Sequence, residues 1–463
     1  MSPQYVLGID SSTQSCKSLL VDAETGQILD TRRAPHPSGT QVDPEAWRRA
    51  LSKSCDDLMS RAAAVAVAGQ QHGMVALAAN GEVVRPAILW NDTSSAEQAR
   101  DLVKEMGGPQ PCATVVGSVI VASLTASKLR WMRDIEPENA ARTSHVLLPH
   151  DYLTWHLGGC MEMVTDHGDA SGTGYYSTSD RRFVPQLAEQ ALGHAVGLPR
   201  IVGPCEVVGE TIHGAPIAPG TGDNMAAALG IGLRPGDICV SIGTSGVASG
   251  VVDNSVHDGS GLVAGFADAT GRYLPLACTL NGARVLELGA RLLGVDQTEF
   301  ARLALSAKPG ANGVCVLPYL DGERTPNRPD ANGVMRGLTT ATSREDFARG
   351  IVEGLLCSLK DAVLAVESAT GVSTDRILLI GGGSQSEAIR RIAPQVFGVS
   401  VNVPAASEYV ALGAARQAAW TLSGDINPPE WDGAPSTNYD DDPHHEIFER
   451  YAALRDQTQS WGE

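Results

Sequence analysis

At 463 residues, 43% hydrophobic and 19% charged, the chain is too long for one hydrophobic core and apolar enough for more, so roughly two or three globular domains are expected. A net charge of −18 argues against nucleic acid or an anionic membrane as a partner, and leaves a phosphate-bearing ligand to a local site with its own amides and cation. Nine cysteines, odd in number and never in a CxxC pair or a zinc spacing, read as reduced thiols of a cytoplasmic protein. Asp10 interrupts the only early apolar run, and the longest small-apolar run, Ala62 to Gly69, is too short to span a bilayer.

Tyr5–Ile9, Cys16–Val21 and Gln27–Thr31 are predicted as three consecutive strands, the last two joined by the turn "AETG". The first ends in a carboxylate, Asp10, and a run of small polar residues, Ser11 to Ser15. A helix is expected over Pro44 to Arg61, opened by Asp43 and Pro44. A buried strand, "AAVAVAG", then leads into the loop "QQHGM", and helices are expected at Ala96–Glu105 and Thr125–Arg133. The alternating stretch from Met161 to Phe183 is predicted as a β-rich insertion.

In "DICVSIGTSGVASGVVD" (Asp237 to Asp253) a strand, a tight turn of small residues and a second strand repeat the order of the opening stretch. A meander turning at Gly271 and a helix over Ala283 to Leu293 follow. The second half therefore reads as a copy of the first, with Gly230 to Asp237 as boundary and hinge. The predicted division is 1–231, 237–422 and an acidic tail, 423–463. Its Asp run reads as a solvated linker, and Glu446–Gln459 as an amphipathic helix.

Strand–turn–strand units with small residues expose backbone N–H groups and form anion sites; two of them facing each other could hold adjacent phosphates. Asp10 then reads either as a turn-capping acid or as a carboxylate holding a cation against phosphate. In "RILLIGGGSQSEAIRRIAPQVFG" a strand runs through three glycines into a helix opened by Ser384, which suits a ligand ring close to the backbone or a purely structural turn. Asp223 follows the loop "PGTG" and begins an Ala-rich helix. It is either an N-cap or a general base kept ionised by the helix N-terminus. The loops "GQQHGMV" and "RPAILWND" offer Gln71, His72, Asn91 and Asp92 as directional hydrogen-bonding groups and Trp90 as a flat wall, a mixture suited to a polyhydroxylated small molecule.

The ordered segments "GIDSSTQSCK", "GQQHGMV", "RPAILWND", "SLTASKLRWM", "TGDNMAAALG", "IGTSG", "GERTPNRPDANGVMRGL" and "LLIGGGSQS" resemble the FGGY family of carbohydrate kinases, most of all its members acting on xylulose. The resemblance runs from about Tyr5 to Leu422. It implies an α/β chain with the duplicated actin-like (ribonuclease-H-like) ATPase fold, two domains around a cleft, the sugar on the N-terminal domain and ATP mainly on the C-terminal one. It implies Asp223 as the base acting on the sugar's primary hydroxyl, Asp10 with Asp223 at the magnesium of Mg-ATP, and Gln71, His72 and Asn224 at the sugar. Trp90, Asn91 and Asp92 sit in a matching motif. Ser12, Thr13, Gly243, Thr244 and Ser245 would line the phosphates, and Gly382, Gly383 and Ser384 would flank the adenosine. Many relatives carry Gly where this chain has Ser12.

The expected activity is ATP-dependent phosphorylation of a ketopentose, D-xylulose before others. The alternatives are a kinase for another polyol, such as ribulose, or an actin-like ATPase without a small-molecule acceptor. By family analogy the expected assembly is a homodimer.

Overall fold

The computed structural model describes residues 4–431 and 435–461. The chain folds as two compact units, one formed by Met1–Gly232, Asp253–Leu274 and Glu408–Gly433, the other by Leu233–Val252, Pro275–Ser407 and Ala434–Glu463. Neither is a single run of sequence: 253–274 and 408–431, placed in the second half by sequence reading, pack with the first unit.

The first unit is built on a sheet whose main path runs Gly209–Glu210, Pro216–Ile217, Ala64–Gly69, Tyr5–Ser11, Ser15–Asp22, Ile28–Pro35. Ala64–Gly69 is parallel to Tyr5–Ser11, and the next two pairings outward are antiparallel. Strand alternation sends Leu7, Ile9, Val65 and Val67 to one face, where they meet Trp47, Leu51, Leu153 and Trp155. Val6, Ala64, Ala66 and Ala68 go to the other, where Ala226, Ala411, Ala415 and Ala418 cover them.

The alanine face has a reason. The helices Asp223–Ile231 and Tyr409–Ser423 come so close that no extra carbon fits. A Cβ on Gly8 would lie 2.0 Å from the Ala411 carbonyl oxygen, and one on Gly413 would lie 1.8 Å from that of Ala226.

The predicted helix from Pro44 ends early, at Cys55, with a separate turn of 3₁₀ helix at Met59–Arg61. Asp43 caps it as expected, accepting from Glu45 N at 3.0 Å. The helix Ala96–Glu105 has the predicted bounds, and the one predicted at Thr125–Arg133 runs Thr125–Ile135. The stretch Met161 to Phe183 departs from expectation. Two-residue strands at Val164–Thr165, Tyr176–Ser177 and Arg182–Phe183 surround a short helix, His167–Ala170. Asp166 caps that helix by accepting from Gly168 N and Asp169 N, both at 2.9 Å, which ends any strand there.

The second unit repeats the plan. Its sheet includes, in spatial order, Tyr273–Thr279, within which the unit boundary falls, then Gly246–Gly250, Asp237–Ile242, Arg376–Ile380, Ser400–Pro404 and Ser436–Tyr439. From Tyr273–Thr279 to Arg376–Ile380 the pairings run antiparallel, antiparallel, parallel, as they do from Ile28–Pro35 to Ala64–Gly69. The internal repeat is thus one of strand order and direction.

The tail carries the predicted terminal helix and, before it, a strand that sequence reading did not place. Ser436–Tyr439 extends the sheet beside Ser400–Pro404, and the helix His445–Gln457 buries Ile447, Tyr451 and Leu454, with Tyr451 Oη 3.0 Å from Tyr319 Oη. Asp440, Asp441 and Asp442 between them are exposed.

The glycine seams generate a prediction. Gly413→Val should destabilise the first unit by about 1–3 kcal/mol, the usual cost of forcing extra carbons into a filled interior. Chemical denaturation should show that unit melting earlier, while a control with open space at its Cβ and no left-handed backbone, Gly203→Ala, moves the transition far less.

Candidate active site

Three strand ends make the site in the first unit. In the parallel pairing of Tyr5–Ser11 with Ala64–Gly69, Asp10 stands opposite Ala68 and Ser11 opposite Gly69. On the other side, the short strand Thr221–Gly222 also runs parallel to Ala64–Gly69, with Thr221 opposite Ala68 and Gly222 opposite Gly69. The residues that follow each strand therefore emerge together: Ser12–Thr13, Gln70–His72 and Asp223–Asn224. Ligands gather at the carboxyl ends of parallel strands because the chain there leaves the sheet in loops.

Asp223 opens the helix Asp223–Ile231, and its Oδ1 accepts from Asn224 N at 2.8 Å. The Asn224 amide donates to Gln71 Oε1 at 2.7 Å and reaches Asp223 Oδ1 at 3.3 Å. Base candidate and sugar-loop candidate are thereby joined. Gly222 permits this, because a Cβ there would lie 2.6 Å from Gln71 Cγ. Gln71 Nε2 is buried with no hydrogen-bond partner among the described residues.

His72 adopts φ +66°, in the left-handed region. Its Nδ1 donates to the Gly172 carbonyl at 2.9 Å, its own carbonyl accepts from Thr125 Oγ1 at 3.2 Å, and its ring lies 5.4 Å from that of Phe266.

The electrostatics correct one expectation. Sequence reasoning has the helix N-terminus keep Asp223 ionised; instead its carboxyl is pushed up to about 8. Withdrawal from water is the largest cause and the charges of Asp10 and Asp169 add to it, while the backbone amides at Asn224 and Asp223 oppose it more weakly. Asp10 is raised to about 6 by burial, against the hydrogen bond from Ser12 Oγ and the charge of Lys17. Lys17 Nζ lies 3.9 Å from Asp10 and 2.5 Å from Glu408.

Other predicted residues are already engaged. Thr13 Oγ1 accepts from the half-exposed Trp90 indole at 3.0 Å. Asn91 is exposed. Asp92 is buried and accepts from Thr40 Oγ1 at 2.9 Å, Gln41 Nε2 at 3.2 Å and Ser94 N at 2.9 Å. Those bonds hold it below the usual carboxylate range despite burial, so Asp92 organises its loop.

In the second unit, Gly243, Thr244 and Ser245 form the exposed turn between Asp237–Ile242 and Gly246–Gly250. It is closed by Gly243 N donating to Ser245 O at 2.9 Å. Gly382 is exposed with open space where a Cβ would stand, while Gly383 would place one 2.4 Å from Ile242 Cγ2. Ser384 does not open the following helix. It sits in a 3₁₀ turn, Gly382–Gln385, and donates to Gly381 O at 2.7 Å; the helix Glu387–Phe397 has Ser386 as its cap position.

Sequence reasoning missed the charged cluster beneath the site. His150, Asp151, Asp166 and Asp169 are all buried, with His150 Nδ1 2.6 Å from Asp169, Nε2 3.2 Å from Asp151 and 4.0 Å from Asp166. Burial alone would lower the imidazole, but Asp151, Asp169 and Asp166 outweigh it and raise His150 to about 9; burial raises all three carboxyls. Ionisable residues inside the apolar run "HVLLPHDYLTW" were the available signal. Among the described residues no three His, Cys, Asp or Glu side chains are grouped to hold a metal, and no helix is long and apolar enough to cross a membrane.

Comparison with known proteins places this geometry. The N-terminal domain of the FGGY family of carbohydrate kinases matches residues 5–230 and its C-terminal domain matches 238–422. A xylulose kinase of Streptomyces coelicolor is 45% identical over 91% of this chain and 88% of its own, and one of Streptomyces rubiginosus is 43% identical over the same shares. The crystal structure of xylulose kinase from Bifidobacterium adolescentis superposes with a TM-score of 0.93 at 43% identity, covering 98% of this chain and all of that one. The repeated sheets are those of the actin-like ATPase fold, and the class is an ATP-dependent carbohydrate kinase. The chain belongs to the FGGY family of carbohydrate kinases.

The buried cluster sets a pH dependence of stability. His150 binds its proton more tightly folded than unfolded, so its contribution is complete below an unfolded value of about 6.5 and disappears as pH rises through about 9. The raised carboxyls act in the same direction. Thermal midpoints should therefore fall between about pH 6.5 and 9, and His150→Asn should flatten that slope.

Proposed function

We propose that this chain transfers the γ-phosphoryl group of ATP to the terminal primary hydroxyl of D-xylulose, giving D-xylulose 5-phosphate, with Asp223 as the base. The observation that carries the reading is the join of Asp223, Asn224 and Gln71 at adjacent strand ends, a carboxylate set among amides that can fix a polyol. The xylulose kinases named above, similar over nine-tenths of the chain, supply the choice of sugar.

Gln71, Asn224 and His72 hold the sugar's hydroxyls, and the half-exposed Trp90 provides an apolar wall. In its ionised form a carboxyl raised to about 8 is a stronger proton acceptor than an ordinary aspartate; near neutral pH it is mostly protonated, and a bound cation would favour the ionised form. The buried Asp10 and the half-buried Asp223, whose charge Asp10 makes costlier, are hard oxygen donors of the kind that accept magnesium, so both would hold the cation of Mg-ATP. When bound, that cation neutralises charge on the phosphates.

In the second unit the amides of Thr244 and Ser245 receive phosphate oxygens on a turn closed by the Gly243 amide, and Gly382 leaves room for the adenosine while Gly383 lets its turn pack on Ile242. The Ser384 hydroxyl, given to Gly381 O, shapes that turn. Ser12 acts through Asp10, to which its hydroxyl donates, and Thr13 through Trp90. Nine thiols without a disulfide suit a reducing cytoplasm.

ADP release assayed with a panel of ketoses, aldoses, glycerol and gluconate should give D-xylulose the highest kcat/KM. A higher value with ribulose, or turnover independent of sugar, would contradict the assignment. Asp223→Ala should lower kcat at least about a hundredfold, as loss of a positioned base does, with sugar binding largely kept; near-normal turnover would remove Asp223 from the role.

A further inference from the structure

Nothing in the chemistry above uses the buried cluster under the site, yet the short turn from Asp166 to Gly172 touches every part of it. Asp166 Oδ2 accepts from Thr221 Oγ1 at 2.6 Å, two residues before Asp223. Asp169 Oδ2 takes the His150 Nδ1 proton at 2.6 Å, and the Gly172 carbonyl accepts from His72 Nδ1 at 2.9 Å. Ser171 Oγ accepts from Ala267 N at 3.0 Å, next to Phe266, whose ring faces His72. Four elements distant in sequence thus meet on one turn of seven residues.

The fit around His150 is equally close. Its backbone and Cβ stand 2.9 Å from where a Cβ of Gly69 would be, and its ring carbon Cδ2 stands 2.7 Å from that of Gly220. One neighbour ends the strand that leads to Gln71; the other opens the strand that leads to Asp223. The imidazole is therefore wedged between the two chains that carry the site.

Stability alone does not account for such a cluster. Three carboxyls and an imidazole in a dry interior carry a large desolvation cost, and well-packed apolar side chains generally serve as well or better. Directional hydrogen bonds do what apolar packing does not: they fix where a strand end lies to a fraction of an ångström.

We propose that the Asp166–Gly172 turn, tied down by His150, is a positioning element that registers the two halves of the sugar site, setting Asp223 through the Thr221 hydroxyl and His72 through the Gly172 carbonyl. Thr221, Asp166, Asp169 and His150 are positioning residues; none touches substrate. The inference rests on the reading of Asp223 as base and His72 as sugar ligand, and it predicts opposite kinetic signatures at the turn's two ends.

Thr221→Val keeps the shape and removes the hydroxyl. It should lower kcat by about tenfold or more, since small misplacements of a reacting group are costly, with the sugar KM changed less than about threefold. Thr221→Ser restores the donor and should restore kcat. In an Asp223→Ala background, Thr221→Val should cost nothing further, because the group it positions is gone. Gly172→Ala places a carbon 2.3 Å from His72 Nδ1. It should raise the sugar KM by about fivefold or more, with kcat at saturation retained, because ground-state and transition-state binding are weakened alike.

Folding is checked by the thermal midpoint of each variant. A normal kcat in folded Thr221→Val, an undiminished loss in the Asp223→Ala background, or an unchanged sugar KM in Gly172→Ala would each overturn the positioning role. Full activity of Asp223→Ala would instead overturn the base assignment, and is seen in a different protein variant from any of these.

Discussion

Three parallel strand ends in register are the constraint on which the rest of the site depends. Ala68 has Asp10 beside it on one strand and Thr221 on the other, and Gly69 has Ser11 and Gly222. Because neighbouring strands lie about 4.8 Å apart, whatever follows these residues leaves the sheet within one small volume. Segments separated by more than two hundred positions in sequence thus deliver an acid, an amide pair and a second acid to the same edge. The glycines at 69, 220 and 222 are part of the same constraint: His150 and Gln71 occupy the space a side chain would fill.

Crowding acids at one edge has a chemical consequence. Asp10 and Asp169 are buried and the half-buried Asp223 feels both charges, so Asp223 is held well above an ordinary aspartate. The positive charges nearby are committed elsewhere. Lys17 is shared between Asp10 and Glu408, and His150 is enclosed by its own carboxylates. The second unit, with the same strand order, carries glycine and hydroxyl turns at the matching strand ends instead of acids.

Much of this was legible in the sequence where a residue's role is local. Tyr5–Ile9, Asp43 with Pro44, and Ala96–Glu105 announce themselves by alternation, capping and periodicity, and the repeat of strand, polar turn and strand at Asp237 exposes the duplication. The missed features depend on partners far away along the chain. The stretch from Met161 alternates like a hairpin, and only the Asp166 cap and its bond to Thr221 turn it into a helical corner. Helix-dipole reasoning set the Asp223 carboxyl too low because it counted the amides at hand and not the burial or the charges of two acids distant in sequence. In the tail the exposed Asp run and the amphipathic helix were legible, but the strand Ser436–Tyr439 was not, because only its pairing with Ser400–Pro404 defines it.

The most direct test of this account is the titration of the Asp223 carboxyl itself in the ligand-free protein, followed by carbon NMR with Asp10→Asn as comparison. The account predicts a midpoint near 8, falling toward the ordinary range when the Asp10 charge is removed. A midpoint near 4 in the unaltered protein would show that the edge is neither dry nor crowded, and would contradict it.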